Sequence, residues 1–176
     1  MLGFLKNRSM VRLKYTYRFS LVILIGLAVF LLDYYELANI FISEIILLCI
    51  SLCKSGYFIY FAFDRIKTTA HKDFYYNEFL TFIVSSVLLI IVSYAADFYC
   101  LFRINEIAFS GVPLRENIIN EFINFFYYSI SVFTTAGFGD IKPNSSTAQI
   151  LVSAELMIAF FFTILFIANI SHIRES

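Results

Sequence analysis

Four long apolar runs, separated by short polar segments, organise this chain. They cover residues 17–32, 38–63, 79–102 and 149–170, and a shorter, aromatic-rich run covers 120–133. A helix that spans a membrane needs about 20 residues, and each long run can supply that number with its flanks. The pattern therefore predicts four membrane-spanning helices, with one shorter helix between the third and the fourth.

Composition agrees with a membrane protein. Hydrophobic residues make up 60% of the chain, the mean hydropathy is +0.80, and the 15% of residues that are charged cluster between the apolar runs. The length suits one small integral membrane protein. The basic start followed by an apolar run also imitates a secretory signal, but no small-residue cleavage site follows, so we favour an uncleaved first helix.

The distribution of lysine and arginine predicts the orientation. Basic residues flank the cytoplasmic ends of membrane helices more often than the outer ends. Five lie in the N-terminal segment up to residue 18, three lie in the 64–77 loop, and none lies in the hairpin at 33–36. The N-terminus, the 64–77 loop and the C-terminus are therefore predicted to be cytoplasmic. The basic residues are Lys6, Arg8, Arg12, Lys14, Arg18, Arg65, Lys67 and Lys72.

The most informative motif is the heptapeptide at 134–140, Thr-Thr-Ala-Gly-Phe-Gly-Asp. Gly137 and Gly139 can adopt dihedrals that are closed to other residues, so successive carbonyls can point to one side. Irregular backbone is tolerated at membrane depth only where it is buried or lines a water-filled path. Four such segments around an axis would form rings of oxygens that replace the hydration shell of a cation.

Residues 126–140 resemble the pore helix and selectivity filter of the potassium channel family, and Pro143 also fits that family's pattern. The resemblance covers roughly residues 120–170. It implies an all-α membrane protein with four transmembrane helices and a re-entrant pore helix and filter between helices 3 and 4. In this scheme residues 1–77 form a basic segment, a two-helix hairpin and a loop, and residues 78–176 form the pore domain.

The same resemblance implies roles for the filter residues. Backbone carbonyls would bind K⁺, the permeant ion, and no other cofactor is expected. Ala136 and Phe138 replace commoner filter residues and should loosen the filter, which leaves weaker selectivity open. The ion-binding set is Thr135, Ala136, Gly137, Phe138 and Gly139, with K⁺ on the first four, and the supporting set is Thr134, Asp140, Ser131 and Glu155.

The fourth helix departs from the family's pattern. Ala159 stands where many members have a hinge glycine, and no glycine occurs from residue 149 onwards. Bending of this helix should therefore be harder. In the family's register Phe160, Thr163 and Ile167 would face the central cavity, although a lipid-facing role is the alternative for Phe160.

Four charged residues interrupt the apolar runs, and such residues are functional candidates by default. Glu44 and Asp97 lie near the predicted outer ends and are expected to reach water. Glu155 is expected to form a hydrogen bond with a pore-helix hydroxyl such as that of Ser129. Lys54 is expected to extend to the inner interface, with an acidic lipid or another helix as the alternative partner, and it is not expected on the ion pathway.

These features predict a potassium-selective channel that is a homotetramer, because one chain supplies one filter strand. It would be a multi-pass protein of the plasma or inner membrane, in contact with lipid, without catalysis or nucleic acid binding. No regularly spaced arginines indicate a voltage sensor, and an unidentified regulatory subunit is left open. The alternatives are a weakly selective cation channel, an ion transporter and a non-conducting membrane interaction protein.

Overall fold

A computed structural model of the chain describes residues 40–69, 76–113 and 117–173. The basic N-terminal segment and the first predicted helix, residues 17–32, lie outside the described residues. The elements follow the order helix, helix, short 3₁₀ turn and strand, helix, strand and helix. They are α1 (Ile40–Thr69), α2 (Tyr76–Ile104), a 3₁₀ helix (Glu106–Ala108), β1 (Phe109–Ser110), α3 (Ile118–Phe133), β2 (Lys142–Pro143) and α4 (Ser146–Ile173).

The helix α1 corresponds to the second predicted helix but continues to Thr69, beyond the predicted end at residue 63. The added residues include no glycine or proline, so the helical hydrogen bonds can continue past the apolar run. The predicted loop at 64–77 is therefore wrong over its first part. The predicted domain boundary at residue 77 falls in the first turn of α2.

Three described helices are long and apolar enough to cross a membrane, over Ile40–Tyr60, Ile83–Ile104 and Ser146–Ala168. The predicted short helix at 120–133 is present as α3, which has 16 residues. At 1.5 Å per residue it is about 24 Å long and too short to cross the hydrocarbon core upright. Within the described residues, the predicted all-α membrane fold is confirmed.

The helix α3, predicted as the pore helix, is fixed on α2 by a cluster of aromatic rings. The ring of Phe98 lies 5.3 Å from that of Tyr128, and the ring of Phe125 lies 5.3 Å from that of Phe102. Phe109, in the strand after α2, joins the two pairs at 5.7 Å from Phe98 and 5.2 Å from Phe125. These tilted and edge-on contacts suit the ring quadrupoles, and they fix α3 beside α2.

The helix α1 packs against both α2 and α4. Leu47, Phe58 and Ala62 bury their side chains in this contact, and the ring of Phe63 lies 4.9 Å from that of Phe161 on α4. Most of the remaining α1 surface is exposed in the single chain. The helix therefore covers one side of the α2–α4 pair instead of standing apart from it.

Candidate functional site

The backbone after α3 alternates in the sign of φ. Thr135, Gly137 and Gly139 have φ of +58°, +53° and +76°, whereas Ala136 and Phe138 have negative φ. In a segment with alternating φ, successive peptide groups have the same orientation. Their N–H groups therefore face one side of the segment, and their carbonyl groups face the other. Thr135 is a non-glycine residue in this region, which costs about 1–3 kcal/mol, so its surroundings must hold it there.

Hydrogen bonds from the amides attach the start of this segment to the last turn of α3. The N–H groups of Ala136 and Gly137 donate to the carbonyl of Ser131 at 2.9 and 3.2 Å, and that of Thr135 donates to the carbonyl of Val132 at 2.9 Å. Within the described part of the chain, no donor bonds to the carbonyls of residues 135–138. The amides are therefore engaged by α3, and the carbonyls remain available to a ligand.

The hydroxyls of the two predicted support residues turn back onto α3. Thr134 donates to the carbonyl of Ile130 at 2.7 Å, and Ser131 donates to the carbonyl of Tyr128 at 2.8 Å. The side chain of Ser131 is buried and its hydroxyl bonds within α3, whereas its backbone carbonyl accepts the hydrogen bonds from the filter segment. Support from Ser131 thus comes from the main chain, which any residue type could supply.

The outer end of the segment is held by Tyr127 of α3. The Asp140 carboxylate accepts a hydrogen bond from the Tyr127 hydroxyl, which is the chief reason that the pKa of Asp140 is lowered, and the N–H of Ile141 adds to this at 2.9 Å. The ring of Phe138 stacks on that of Tyr127, with centroids 5.9 Å apart and planes 7° apart. A link from Asp140 to the pore helix was expected, but Tyr127 could not be singled out in an aromatic-rich run.

Replacing Tyr127 by phenylalanine should make the predicted K⁺ current more sensitive to outside acid. A carboxyl group whose pKa is lowered keeps its charge, and the contacts that depend on it, until the pH falls through that lowered value. Without the hydroxyl the pKa of Asp140 should rise, so current should be lost at a higher external pH. Current measured against external pH checks this, with the exposed Tyr60→Phe on α1 as the matched control. Identical pH profiles for the two variants would contradict the role of this hydrogen bond.

A second segment closes over the outer end of the filter. The strands β1 and β2 pair antiparallel, with Phe109 opposite Pro143, and the N–H of Asn144 donates to the carbonyl of Ala108 at 2.8 Å. Gly111, at φ +86°, lies so close that an added Cβ would be 1.8 Å from the carbonyl oxygen of Asp140. The sequence marks Ser-Gly as a turn but gives no sign of this partner.

Glu155 of α4 reaches the pore helix, as predicted. Its Oε1 lies 2.5 Å from Oγ of Ser129, and the same Oγ lies 2.9 Å from the carbonyl oxygen of Ile91 on α2. A serine hydroxyl has one hydrogen, and a carbonyl oxygen can only accept. The Ser129 hydroxyl therefore donates to the carbonyl of Ile91, and its contact with Glu155 is a hydrogen bond only if Glu155 carries a proton and donates it to Ser129.

The surroundings of Glu155 agree with a neutral acid. The residue is fully buried, and within the described residues its Oε2 has no hydrogen-bond partner. An ionised carboxylate with an unpartnered oxygen in an apolar interior would cost several kcal/mol or more. Glu155 therefore joins α4, α3 and α2 through one serine hydroxyl.

The prediction that Lys54 extends to the inner interface is wrong. Its ammonium group forms an ion pair with Asp97 of α2, and the alternative of a partner on another helix is confirmed. Asp97 does not reach water either: the two side chains are only 8% and 4% exposed, and Ser51 donates to Asp97 Oδ2 at 2.6 Å. The ammonium also lies 5.4 Å from the centre of the Tyr94 ring.

Glu44 was expected to reach water and is instead 9% exposed. Its two carboxylate oxygens accept hydrogen bonds from Asn105, at 2.6 Å, and from Thr147, at 2.9 Å. Asn105 follows the end of α2, and Thr147 lies in the first turn of α4, where the helix dipole favours a negative charge. Glu44 thus joins α1 to both helices that flank the filter.

The predicted cavity residues lie on one exposed face of α4. Phe160 and Ile167 are 68% and 63% exposed in the single chain, and Thr163 lies between them with its hydroxyl bonded to the carbonyl of Ala159 at 2.9 Å. Spacings of three and four residues place the three on the same side. The helix runs unbroken through Ala159, in keeping with the missing glycine.

Comparison with known proteins places these observations in a family. Residues 44–175 match the family model described as "Ion channel". A 71-residue segment, 40% of this chain, is 37% identical to a protein of Arabidopsis thaliana named "Two-pore potassium channel 4". That segment covers 23% of the relative's length. No solved structure gives a significant match.

Proposed function

Because the chain belongs to the ion channel family, we propose that it conducts K⁺ selectively and passively across a membrane. The ion would bind in turn to the carbonyls of Thr135, Ala136, Gly137 and Phe138, with Gly139 at the outer mouth. The observation that carries this proposal is the alternating φ of these residues, with the amides of residues 135–137 bonded to α3 and the carbonyls of residues 135–138 available. Rings of such carbonyls can replace the hydration shell of K⁺.

A homotetramer would complete the site. Every residue from 134 to 140 is exposed in the single chain, and polar backbone at membrane depth must be covered by protein or line a water-filled path. One chain supplies one filter strand, and four strands around an axis supply the rings of oxygens. The exposed face with Phe160, Thr163 and Ile167 would then line the cavity below the filter.

The chain is a multi-pass membrane protein. We assign it to the plasma or inner membrane with both termini cytoplasmic, because lysine and arginine are concentrated at the ends predicted to be inside. Conduction needs no cofactor beyond the permeant ion and no catalytic residue. The proposal includes contact with membrane lipid, and it leaves open whether a regulatory subunit also binds.

Single-channel recording of the purified protein in bilayers, with K⁺ on one side and Na⁺ on the other, tests the proposal. We expect a reversal potential far from zero, on the side set by K⁺. Gly137→Ala places a side chain at φ +53°, a backbone conformation unfavourable for alanine, and should reduce the current, whereas Gly56→Ala in the helical backbone of α1 should retain it. A reversal potential near zero would favour the weakly selective channel, and a dimer or trimer by native mass spectrometry would contradict the ring.

A further inference from the structure

We propose that the ion pair between Lys54 and Asp97 positions the selectivity filter, so that α1 is a working part of the pore and not a peripheral addition. This inference rests on the proposed K⁺-selective conduction. Lys54 would act through α2 and α3, without touching the ion. Four observations support it: a polar stripe on α1, the placement of α2, a second attachment point, and the burial of the pair.

The polar stripe consists of Ser51, Lys54 and Ser55, which lie three and four residues apart on one face of α1. Ser51 and Lys54 both bond to Asp97 of α2, and the hydroxyl of Ser55 lies 2.5 Å from that of Tyr94. Small residues four apart let two membrane helices approach closely. The stripe therefore fits one register of α1 against α2.

The segment of α2 that receives this stripe also supports the pore helix. The ring of Tyr94 lies 5.9 Å from that of Phe98, which in turn lies 5.3 Å from Tyr128 of α3. One turn before Tyr94, the carbonyl of Ile91 accepts a hydrogen bond from the hydroxyl of Ser129 on α3. A shift or rotation of α2 at Asp97 would thus be passed to α3, whose last turn holds the filter amides.

A second attachment point lies nearer the start of α1. Together with the ion pair, it constrains the tilt of α1 as well as its position. Glu44 bonds to Asn105 and Thr147 at the outer ends of α2 and α4. Lys54 follows Glu44 by ten residues, about 15 Å along a helix. Two anchors at this separation fix the crossing of α1 over α2, whereas one anchor alone would leave α1 free to pivot.

The pair must stay intact because both charges are buried. Removing one partner leaves an uncompensated charge in the interior, whereas removing both charges together leaves none. An unpaired Asp97 would draw water or turn towards another donor, and either change moves α2. If the two charges act as one pair, the double replacement should be no worse than either single one, whereas independent losses of packing by the two side chains would add.

The test compares Lys54→Met, Asp97→Asn, the double variant and Lys54→Arg, with Cys53→Ser, an exposed neighbour on α1, as the control. We expect each single variant to lower the K⁺ to Na⁺ permeability ratio about fivefold or more, the lower end of typical coupling between sites. Lys54→Arg, which keeps the ion pair, should retain most of the ratio, and the double variant should lose no more of it than either single variant. Unitary K⁺ current should not rise in Lys54→Met, because Lys54 is not on the ion path, and Cys53→Ser should leave both readouts unchanged.

Hydrogen exchange of the 134–140 peptide, followed by mass spectrometry, provides a readout that does not depend on conduction. Exchange should be several-fold faster in each single variant, no faster than that in the double variant, and close to wild type in Lys54→Arg. Unchanged permeability and exchange, with only a lower tetramer yield, would overturn the proposal, as would additive effects in the double variant. If the wild type is not selective, the proposed function fails and the exchange result alone decides the positioning role.

Discussion

Gly111→Ala is expected to abolish K⁺ current by displacing the outer end of the filter. The added Cβ would lie 1.8 Å from the carbonyl oxygen of Asp140 and 3.3 Å from Cα of Ile141. Both are backbone atoms, so no side-chain rotation relieves the clash, and φ of +86° is itself unfavourable for alanine. The segment after the filter must move, which would separate Asp140 from Tyr127.

Gly56→Ala is the matched control for this experiment. Gly56 lies within α1, where an added Cβ meets nothing within 4 Å, and alanine favours a helix over glycine by about 1 kcal/mol. Current recordings and the thermal midpoint of the purified protein measure both variants. Wild-type current in Gly111→Ala would show that the segment at 109–113 does not press on the filter.

The helices could be predicted from the sequence because each is marked by local composition. The runs at 79–102 and 149–170 reappear as α2 and α4, and the run at 120–133 reappears as α3. Hydrophobicity alone did not place the end of α1, because charged helix formers continue the helix past the apolar run. The backbone of the proposed filter could be anticipated because Gly137 and Gly139 readily adopt the positive φ that the structure has there.

The contacts between elements could not be predicted, because they depend on which residues face one another after folding. Lys54 and Asp97 are 43 residues apart, and each alone resembles a charge near a membrane surface. Their burial follows from the register of α1 against α2, which the two serines beside Lys54 allow. Gly111 is a further case, since its partner at Asp140 belongs to another segment.

Glu155→Ala should weaken the pore more than Glu155→Gln does. Alanine leaves the hydroxyl of Ser129 with one partner in a buried site, at a cost of about 1–3 kcal/mol per subunit, and it removes the link from α4 to the pore helix. Glutamine keeps the shape and offers an N–H donor where the neutral acid has its O–H. We therefore expect a lower thermal midpoint and faster loss of current in Glu155→Ala, and values near wild type in Glu155→Gln.

Infrared spectroscopy tests directly whether the Glu155 carboxyl group carries a proton. A neutral carboxylic acid has a carbonyl stretch that a carboxylate lacks. The wild-type spectrum minus that of Glu155→Gln should therefore contain this band. Ser129→Ala should shift the band, because it removes the hydrogen-bond partner of the acid. Glu106→Gln, which alters an exposed acid in the 3₁₀ helix, is the control and should not remove the band. A carboxylate signal in its place would mean that Ser129 donates to Glu155. The carbonyl of Ile91 would then lose the hydrogen bond from Ser129, and the link between the three helices would be broken at α2.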